Sequence, residues 1–156
     1  MTTLELGCGL HPLAGVDVVH HDLRQHSVWI DVAHNLNTLP WPWYDEQFEK
    51  IVALDVMEHL VVDVPEWLNE CWRILQPGGV LALRLPAWNH ENSFIDPTHR
   101  KLFHEATFKY WQPGNYYYEH YGCYYFAEAA RWWECELAER CDAGANIRYV
   151  LRKLTL

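Results

Sequence analysis

The sequence predicts an α/β domain, a mostly parallel sheet with its ligand crevice at the carboxyl ends of the strands. Three stretches carry this expectation. Thr3–Leu6 is a short, largely apolar run that breaks into Gly7-Cys8-Gly9. Phe48–Leu54 is nearly continuous apolar sequence and ends at Asp55. Val64, Leu68, Cys71, Trp72 and Leu75 fall on one helical face, and Pro77-Gly78-Gly79 then leads into a further apolar run, Val80–Leu85. An uninterrupted apolar strand marks burial on both faces of a parallel sheet. Strand, helix and strand in succession outline a right-handed crossover. Glycines after the first strand let backbone amides approach a ligand closely, because no Cβ intervenes.

The bounds agree with one folded domain. The chain has 156 residues, half of them hydrophobic and 15% aromatic, enough to bury a sizeable core. Its 12 Lys and Arg stand against 21 Asp and Glu, a net charge of −9. No overall field attracts a phosphate backbone, so duplex nucleic acid is not an expected partner. Cys8, Cys71, Cys123, Cys135 and Cys141 form no C-x-x-C pair. With no secretory signal legible, they are expected to be reduced thiols in a cytoplasmic protein. No apolar run reaches the length of a membrane span, so no membrane association is expected.

Taken in order, Thr3–Leu6 is the first expected strand and Val16–Val19 the second, the latter running into His20, His21 and Asp22. The connection between them, about nine residues, is shorter than a full crossover helix needs. A carboxylate closing the second strand can accept both hydroxyls of a ribose. Asp22 fits that position, with Asp17, inside the strand, as the competitor. Val28–Val32 is the third expected strand, followed by His34-Asn35-Leu36-Asn37. Asn35 there is placed to bond an adenine amino group, or simply to form a turn. Trp41 and Trp43, in the proline-stiffened loop Leu39–Trp43, can wall a purine pocket or pack beneath the loop. After the fourth strand, Phe48–Leu54, comes Asp55-Val56-Met57-Glu58-His59-Leu60. A helix then begins at Asp63 or Val64, with Pro65 early and Glu66 in its first turn. Near the end, Trp132–Arg140 and Asn146–Leu154 read as a hairpin around Asp142-Ala143-Gly144-Ala145, with Glu134, Glu136, Arg148 and Arg152 set for cross-strand charge pairs.

Leu4–Gly9, the stretch from Pro40 to Leu60, and Arg73-Ile74-Leu75-Gln76-Pro77-Gly78-Gly79 together resemble the class I S-adenosylmethionine-dependent methyltransferases. The likeness is to the small-molecule-type branch with E-H-L after strand four and L-x-P-G-G before strand five, and it covers roughly the first 86 residues. It implies a Rossmann-like, mostly parallel seven-stranded sheet with a C-terminal antiparallel hairpin. Against that pattern, this sequence is expected to have a shortened first crossover and to lack the helices that usually precede the motif. One domain follows, with a cofactor half (1–86), a substrate loop or lid region (87–126) and a hairpin (127–156). The implied cofactor is S-adenosyl-L-methionine, leaving as S-adenosyl-L-homocysteine. The resemblance places Glu5 near the methionine ammonium and the Gly7-Cys8-Gly9 backbone against the cofactor. It gives Asp22 and Leu23 the ribose side, Asn35 and Leu36 the adenine, and Asp55 and Val56 the methionine end. The third glycine common in the motif is replaced, since His11 and Pro12 stand there. Without N-terminal cover, a homodimer or a partner chain is an expected lid for the pocket.

The acceptor is expected to be chosen by Pro86–Phe126, which contains Trp88–Asn92 and Asp96-Pro97-Thr98-His99-Arg100. Long loops at that edge are commonly lids or substrate loops, and some relatives carry a D-P-T-H-like segment there. His104–Trp111 is an expected short helix, with Phe108 and Trp111 facing the core. Methyl transfer needs in-line positioning, and a hydroxyl or ammonium acceptor also needs a base near neutral pKa. His99 with Asp96, and then His59, are the candidate catalytic residues; the alternatives are a surface histidine and a turn aspartate. His90, Glu91, His99, His104 and Glu105 fit no recognised metal-ligand spacing, so no metal is assigned. A nicotinamide cofactor is disfavoured because Pro12 breaks G-x-G-x-x-G. The expected function is methyl transfer to an O or N atom of a small-molecule, sugar or peptide-like acceptor. The alternative is a non-catalytic S-adenosylmethionine-binding subunit or sensor.

Overall fold

A computed structural model describes residues 2–125 and 131–155. Its seven-stranded sheet has the order β3-β2-β1-β4-β5-β7-β6. The strands are β1 (Thr3–Leu6), β2 (Val18–Asp22), β3 (Val32–Ala33), β4 (Phe48–Leu54), β5 (Leu75–Pro86), β6 (Trp132–Cys141) and β7 (Asn146–Leu154). β3, β2, β1, β4 and β5 run parallel, whereas β7 pairs antiparallel with both β5 and β6. Strand order reverses between β1 and β4, and in open α/β sheets such a switch point opens a crevice at the strand ends.

Register determines what each face carries. Leu4 and Leu6 lie beside Ile51 and Ala53, which pair with Leu81 and Leu83, which in turn pair with Leu151 and Tyr149. All are buried and belong to one hydrophobic cluster. Helix α1 (Val64–Ile74) adds Trp67, Leu68, Cys71 and Ile74 to it, and Phe108 stands edge-on to Tyr149 at 4.8 Å. Lys153 is buried there too: its ammonium lies 3.8 Å from the Trp72 ring centroid and donates to the Leu75 carbonyl at 2.7 Å. The opposite row, Glu5, Val52, Ala82 and Val150, is less covered toward its hairpin end. Among the described residues, no helix lies between β1 and β2 or between β2 and β3.

Several expectations shift. β2 begins at Val18, because Val16 is almost fully exposed and unpaired, and extends to Asp22 through pairing of His20 and His21 with β1. β3 is only Val32–Ala33; Val28 is likewise exposed, so β-branched character there marks a loop rather than a strand. β5 starts at Leu75 and includes the Pro-Gly-Gly segment. A short helix, α2 (Asn92–Ile95), interrupts the expected loop, and the turn at Thr107–Trp111 is 3-10 in form, with Phe108 and Trp111 buried. Trp41 and Trp43 pack in the core and do not wall the pocket. The hairpin charge pairs are Arg152–Glu136 and Arg148–Glu139. Phe126 and the first residues of the 127–156 segment lie outside the described residues.

The loop from Leu36 to Asp45 is pinned to α1 by one guanidinium. Arg73 donates to the Trp43 carbonyl at 2.8 Å and the Trp41 carbonyl at 3.2 Å, and pairs with Glu70 and Asp45. Glu70 accepts the Trp41 amide at 2.9 Å, and the Trp41 indole donates to the Leu36 carbonyl. The chain beneath the crevice therefore depends on a fork of charged donors that lysine lacks. Arg73→Ala is expected to lower stability in urea unfolding by about 2–3 kcal/mol, and Arg73→Lys to restore little of it.

Candidate functional site

Four strand ends meet at one crevice. Gly7 leaves β1 with φ +65°, and a Cβ placed there would stand 2.6 Å from Val56 Cγ2. Glycine is required at this position on both counts. Gly7 donates its amide to His21 Nδ1 at 3.4 Å, and His21 Nε2 lies 2.8 Å from the His34 carbonyl. Burial pushes the His21 pKa down, so the imidazole is neutral, with Nε2–H donating. Gly9 donates to Asp22 Oδ2 at 2.8 Å, and Leu23 to Oδ1 at 2.6 Å. Burial alone would raise the Asp22 pKa, but those amides, together with His26, hold it below the usual carboxylate value.

The crevice, about 280 Å³, is lined by Gly7, Asp22, Leu23, Asn35, Leu36, Asp55 and Val56, and also by His21 and His59. Glu5, Cys8 and Gly9 are not among the lining residues. Glu5 Oε2 accepts the Leu13 amide at 3.0 Å and lies 2.7 Å from His20 Nδ1, so it braces the glycine loop. Cys8 is buried, and its thiol is pushed up to about 11, by burial first and then by the Asp22 and Glu5 charges. Asn35 folds back through Oδ1 to the Asn37 amide at 3.0 Å, which leaves its amide NH2 for a ligand. An ionised carboxylate, an amide donor, an apolar Leu36 and a backbone with no Cβ in the way suit an adenosine.

A second cavity, about 360 Å³, adjoins the first and is lined by Asp55, Glu58, His59, Asn92, Asp96 and His99, among others. Asp55 and His59 belong to both walls. Asp55 takes a left-handed φ of 57° and pairs with Arg84. The Asp96–Arg100 segment is fastened over the strand-four exit: Arg100 donates its amide to the Glu58 carbonyl at 2.8 Å, and Lys101 bonds the Leu60 carbonyl. Thr98 donates to Asp96 Oδ1 at 2.7 Å, so its hydroxyl oxygen accepts from His59 Nδ1 at 2.8 Å. His99 Nε2 faces Asp96 Oδ2 at 4.0 Å, and its Nδ1 is buried without a partner. Burial, reinforced by His99, lowers the His59 pKa. The structure therefore brings His99, Asp96 and His59 together on one wall. His90, His104 and Glu105 are absent from that wall.

Glu58 is the residue that sequence reasoning passed over. Only 1% exposed, it is pushed up to about 8 by burial, with the Asp55 and Asp96 charges adding to the effect. The E-H-L block was the available signal, but an acid in a turn carries no mark of its burial. His21 was missed for a similar reason, as a polar residue at a strand end.

The comparisons with known proteins agree with this geometry. Residues 4–83 match the family described as "Methyltransferase domain". Over 58 residues the chain is 40% identical to a "Probable S-adenosylmethionine-dependent methyltransferase" of Mycolicibacterium smegmatis, a match covering 36% of this chain and 21% of that protein. The chain therefore aligns with about a fifth of the length of that curated relative. Similar solved structures include a SAM-dependent methyltransferase from Archaeoglobus fulgidus (TM-score 0.64, 16% identity, 97% of this chain and 85% of that one). Phosphoethanolamine N-methyltransferase 1 of Haemonchus contortus, solved with phosphoethanolamine and S-adenosylhomocysteine, gives TM-score 0.67 at 13% identity, over 99% of this chain and 39% of that one. A complex of the Haloferax volcanii Trm112 methyltransferase activator with a methyltransferase gives TM-score 0.64 at 11% identity, over 99% and 83%. At such identities the structural likeness shows the fold.

The close approach at Gly7 is testable. Gly7→Ala is expected to weaken S-adenosylhomocysteine binding by about tenfold or more in calorimetry, through left-handed strain and displacement of Val56. Val56→Ala in the same chain should recover the steric part only. The matched residues and the sheet order agree on one conclusion: the chain belongs to the methyltransferase domain family, the class I S-adenosylmethionine-dependent methyltransferases.

Proposed function

We propose that this chain transfers a methyl group to an oxygen or nitrogen of a small-molecule, sugar or peptide-like acceptor seated in the cavity beside the cofactor crevice. The observation that carries this reading is the shared wall: Asp55 and His59 border both cavities. Bound S-adenosylmethionine would supply an electrophilic methyl on its sulfonium. Asp22 accepts the ribose hydroxyls, Asn35 and Leu36 hold the adenine, and Gly7 with Val56 shapes the floor. Asp55 stands at the methionine end, between donor and acceptor. Glu5, Cys8 and Gly9 act by holding the glycine loop and the second strand.

On the acceptor side, His59 and His99 each engage Thr98 or Asp96 through one ring nitrogen. The second ring nitrogen of His59 is left for the acceptor, whereas His99 Nδ1 is buried and His99 Nε2 stands 4.0 Å from Asp96. A neutral imidazole so oriented can take the proton that an O–H or N–H acceptor releases. His99 is the proposed base and Asp96 its positioning residue, with His59 beside them. The binding steps rest on alignment of the acceptor and exclusion of water by the Asp96–Arg100 segment.

A second reading is a cofactor-binding subunit that works with a partner chain. It is favoured by the absence of a helix between β1 and β2 or between β2 and β3 among the described residues. The two are separated by assaying S-adenosylhomocysteine release over a panel of hydroxyl and amine acceptors. The catalytic reading expects turnover that falls by about 100-fold in His99→Ala, while affinity for S-adenosylhomocysteine is kept. Full turnover in His99→Ala would remove that residue from the role. No turnover with any acceptor, together with co-purification of a stoichiometric partner, would favour the second reading.

A further inference from the structure

Glu58, His59 and His99 each offer one donor atom, and the three atoms lie within 4.8 Å of one another. The geometry points to a binding site for a divalent transition-metal cation, held by these three side chains and open toward the acceptor cavity. This inference deepens the proposed function and rests on its placement of the acceptor beside Asp55 and His59.

Three observations support it. First, the donors lack other partners: Glu58 Oε2 and His99 Nδ1 are both buried without a hydrogen bond. A buried carboxyl with no cation beside it keeps its proton, and a bound cation would displace that proton and take the oxygen as a ligand. Glu58 is 1% exposed, and the nearby guanidinium of Arg84 is taken up by Asp55.

Second, the outer hydrogen bonds are those a metal site needs. His59 Nδ1–H is held by the Thr98 hydroxyl, which itself donates to Asp96 Oδ1, while His99 Nε2 faces Asp96 Oδ2. One carboxylate thus orients both imidazoles, directly or through a threonine. The hydrogen bond to Thr98 sets the His59 tautomer and leaves its Nε2 a lone pair. His99 stands within ion-pair distance of the same carboxylate, the kind of outer partner that carboxylate–histidine–metal arrangements use. Third, the donor set of two imidazoles and one carboxylate suits zinc, cobalt or iron rather than magnesium or calcium. It also leaves coordination positions for a water or an acceptor oxygen.

Donor atoms around a bound zinc stand about 3–3.5 Å apart, given metal–ligand bonds near 2.0–2.2 Å. Side-chain rotations on the order of 1 Å would therefore close the site. With a cation bound, the metal would take up the lone pairs of the His59 and His99 ligand nitrogens, so the cation would replace His99 as the group acting on the acceptor. It would polarise an acceptor oxygen on its open position and orient it toward the methyl donor.

The test is metal binding by the intact chain, stripped with a chelator and dialysed. Zn2+ stoichiometry is read by elemental analysis, and Co2+ by its visible d–d absorption, with excess Mg2+ present. The expected result is one equivalent of Zn2+ and a low-symmetry Co2+ spectrum. Both should weaken at least tenfold in Glu58→Gln and in His99→Asn, and persist in His104→Asn, which lies outside the cluster. Because Glu58→Gln can disturb folding, each variant is also titrated with S-adenosylhomocysteine. No bound metal, or binding unchanged in both Glu58→Gln and His99→Asn, would overturn the site. Loss of metal binding in the variants with S-adenosylhomocysteine affinity intact supports it. Wild-type protein that binds Zn2+ but no S-adenosylhomocysteine would sink the methyl-transfer reading and leave the cation site standing. The reverse would remove the cation site alone.

Discussion

His21 joins the ends of three strands through one neutral imidazole. It accepts the Gly7 amide at the end of β1, sits in β2, and donates to the His34 carbonyl just past β3. In a larger α/β domain, crossover helices hold such ends in place. Here the β1–β2 and β2–β3 connections carry no helix among the described residues, so side-chain hydrogen bonds take over. Glu5 holds Leu13 and His20, Asp22 holds Gly9 and Leu23, and Trp29 reaches the Gly9 carbonyl. A hydrogen bond to a charged group contributes about 1.5–3 kcal/mol, so a few of them can offset much of what a missing helix would supply locally. The crevice keeps its form because polar side chains at the ends of β1 and β2 point at backbone groups of the neighbouring loops.

The acceptor side follows from the same economy of elements. The Asp96–Arg100 segment has almost no regular structure, yet the Arg100 amide and the Lys101 ammonium fasten it to the Glu58 and Leu60 carbonyls. That attachment brings His99 against His59, with ring centroids 4.7 Å apart, and lays both beside a buried carboxylate. Loops that carry chemistry depend on such ties to a rigid scaffold. The scaffold here is the β4 exit, which also supplies Asp55 to the cofactor crevice. The two cavities are thus two sides of one strand end.

How much of this could be read from sequence depended on how each element is stabilised. β1, β4 and α1 were legible because apolar runs and helical periodicity report burial directly. β2 and β3 were legible in place but not in their bounds: Val16 and Val28 are β-branched but solvent-exposed, while the polar His20, His21 and Asp22 form most of the second strand. Their strand character comes from pairing with β1, a long-range fact that local composition does not carry. The site divided in the same way. Asp22, Asn35 and Asp55 line the crevice, as strand-end position implies. Glu5, which the family likeness puts near the methionine ammonium, accepts the Leu13 amide and lies against His20. Glu58 carried no sequence mark of burial, and its place next to His99 depends on a loop that returns from about 40 residues further along the chain.

The central claim is that the strand-end crevice holds an adenosyl sulfur cofactor with Asp22 as its ribose partner. Thermal unfolding with S-adenosylmethionine, S-adenosylhomocysteine and NAD, for the wild type and for Asp22→Ala, tests it most directly. The account predicts that either adenosyl sulfur compound, at about a hundred times its dissociation constant, adds about 2.7 kcal/mol of stability. NAD should add none, and Asp22→Ala should abolish the gain. A gain from NAD alone, or an S-adenosylhomocysteine gain untouched by Asp22→Ala, would contradict it.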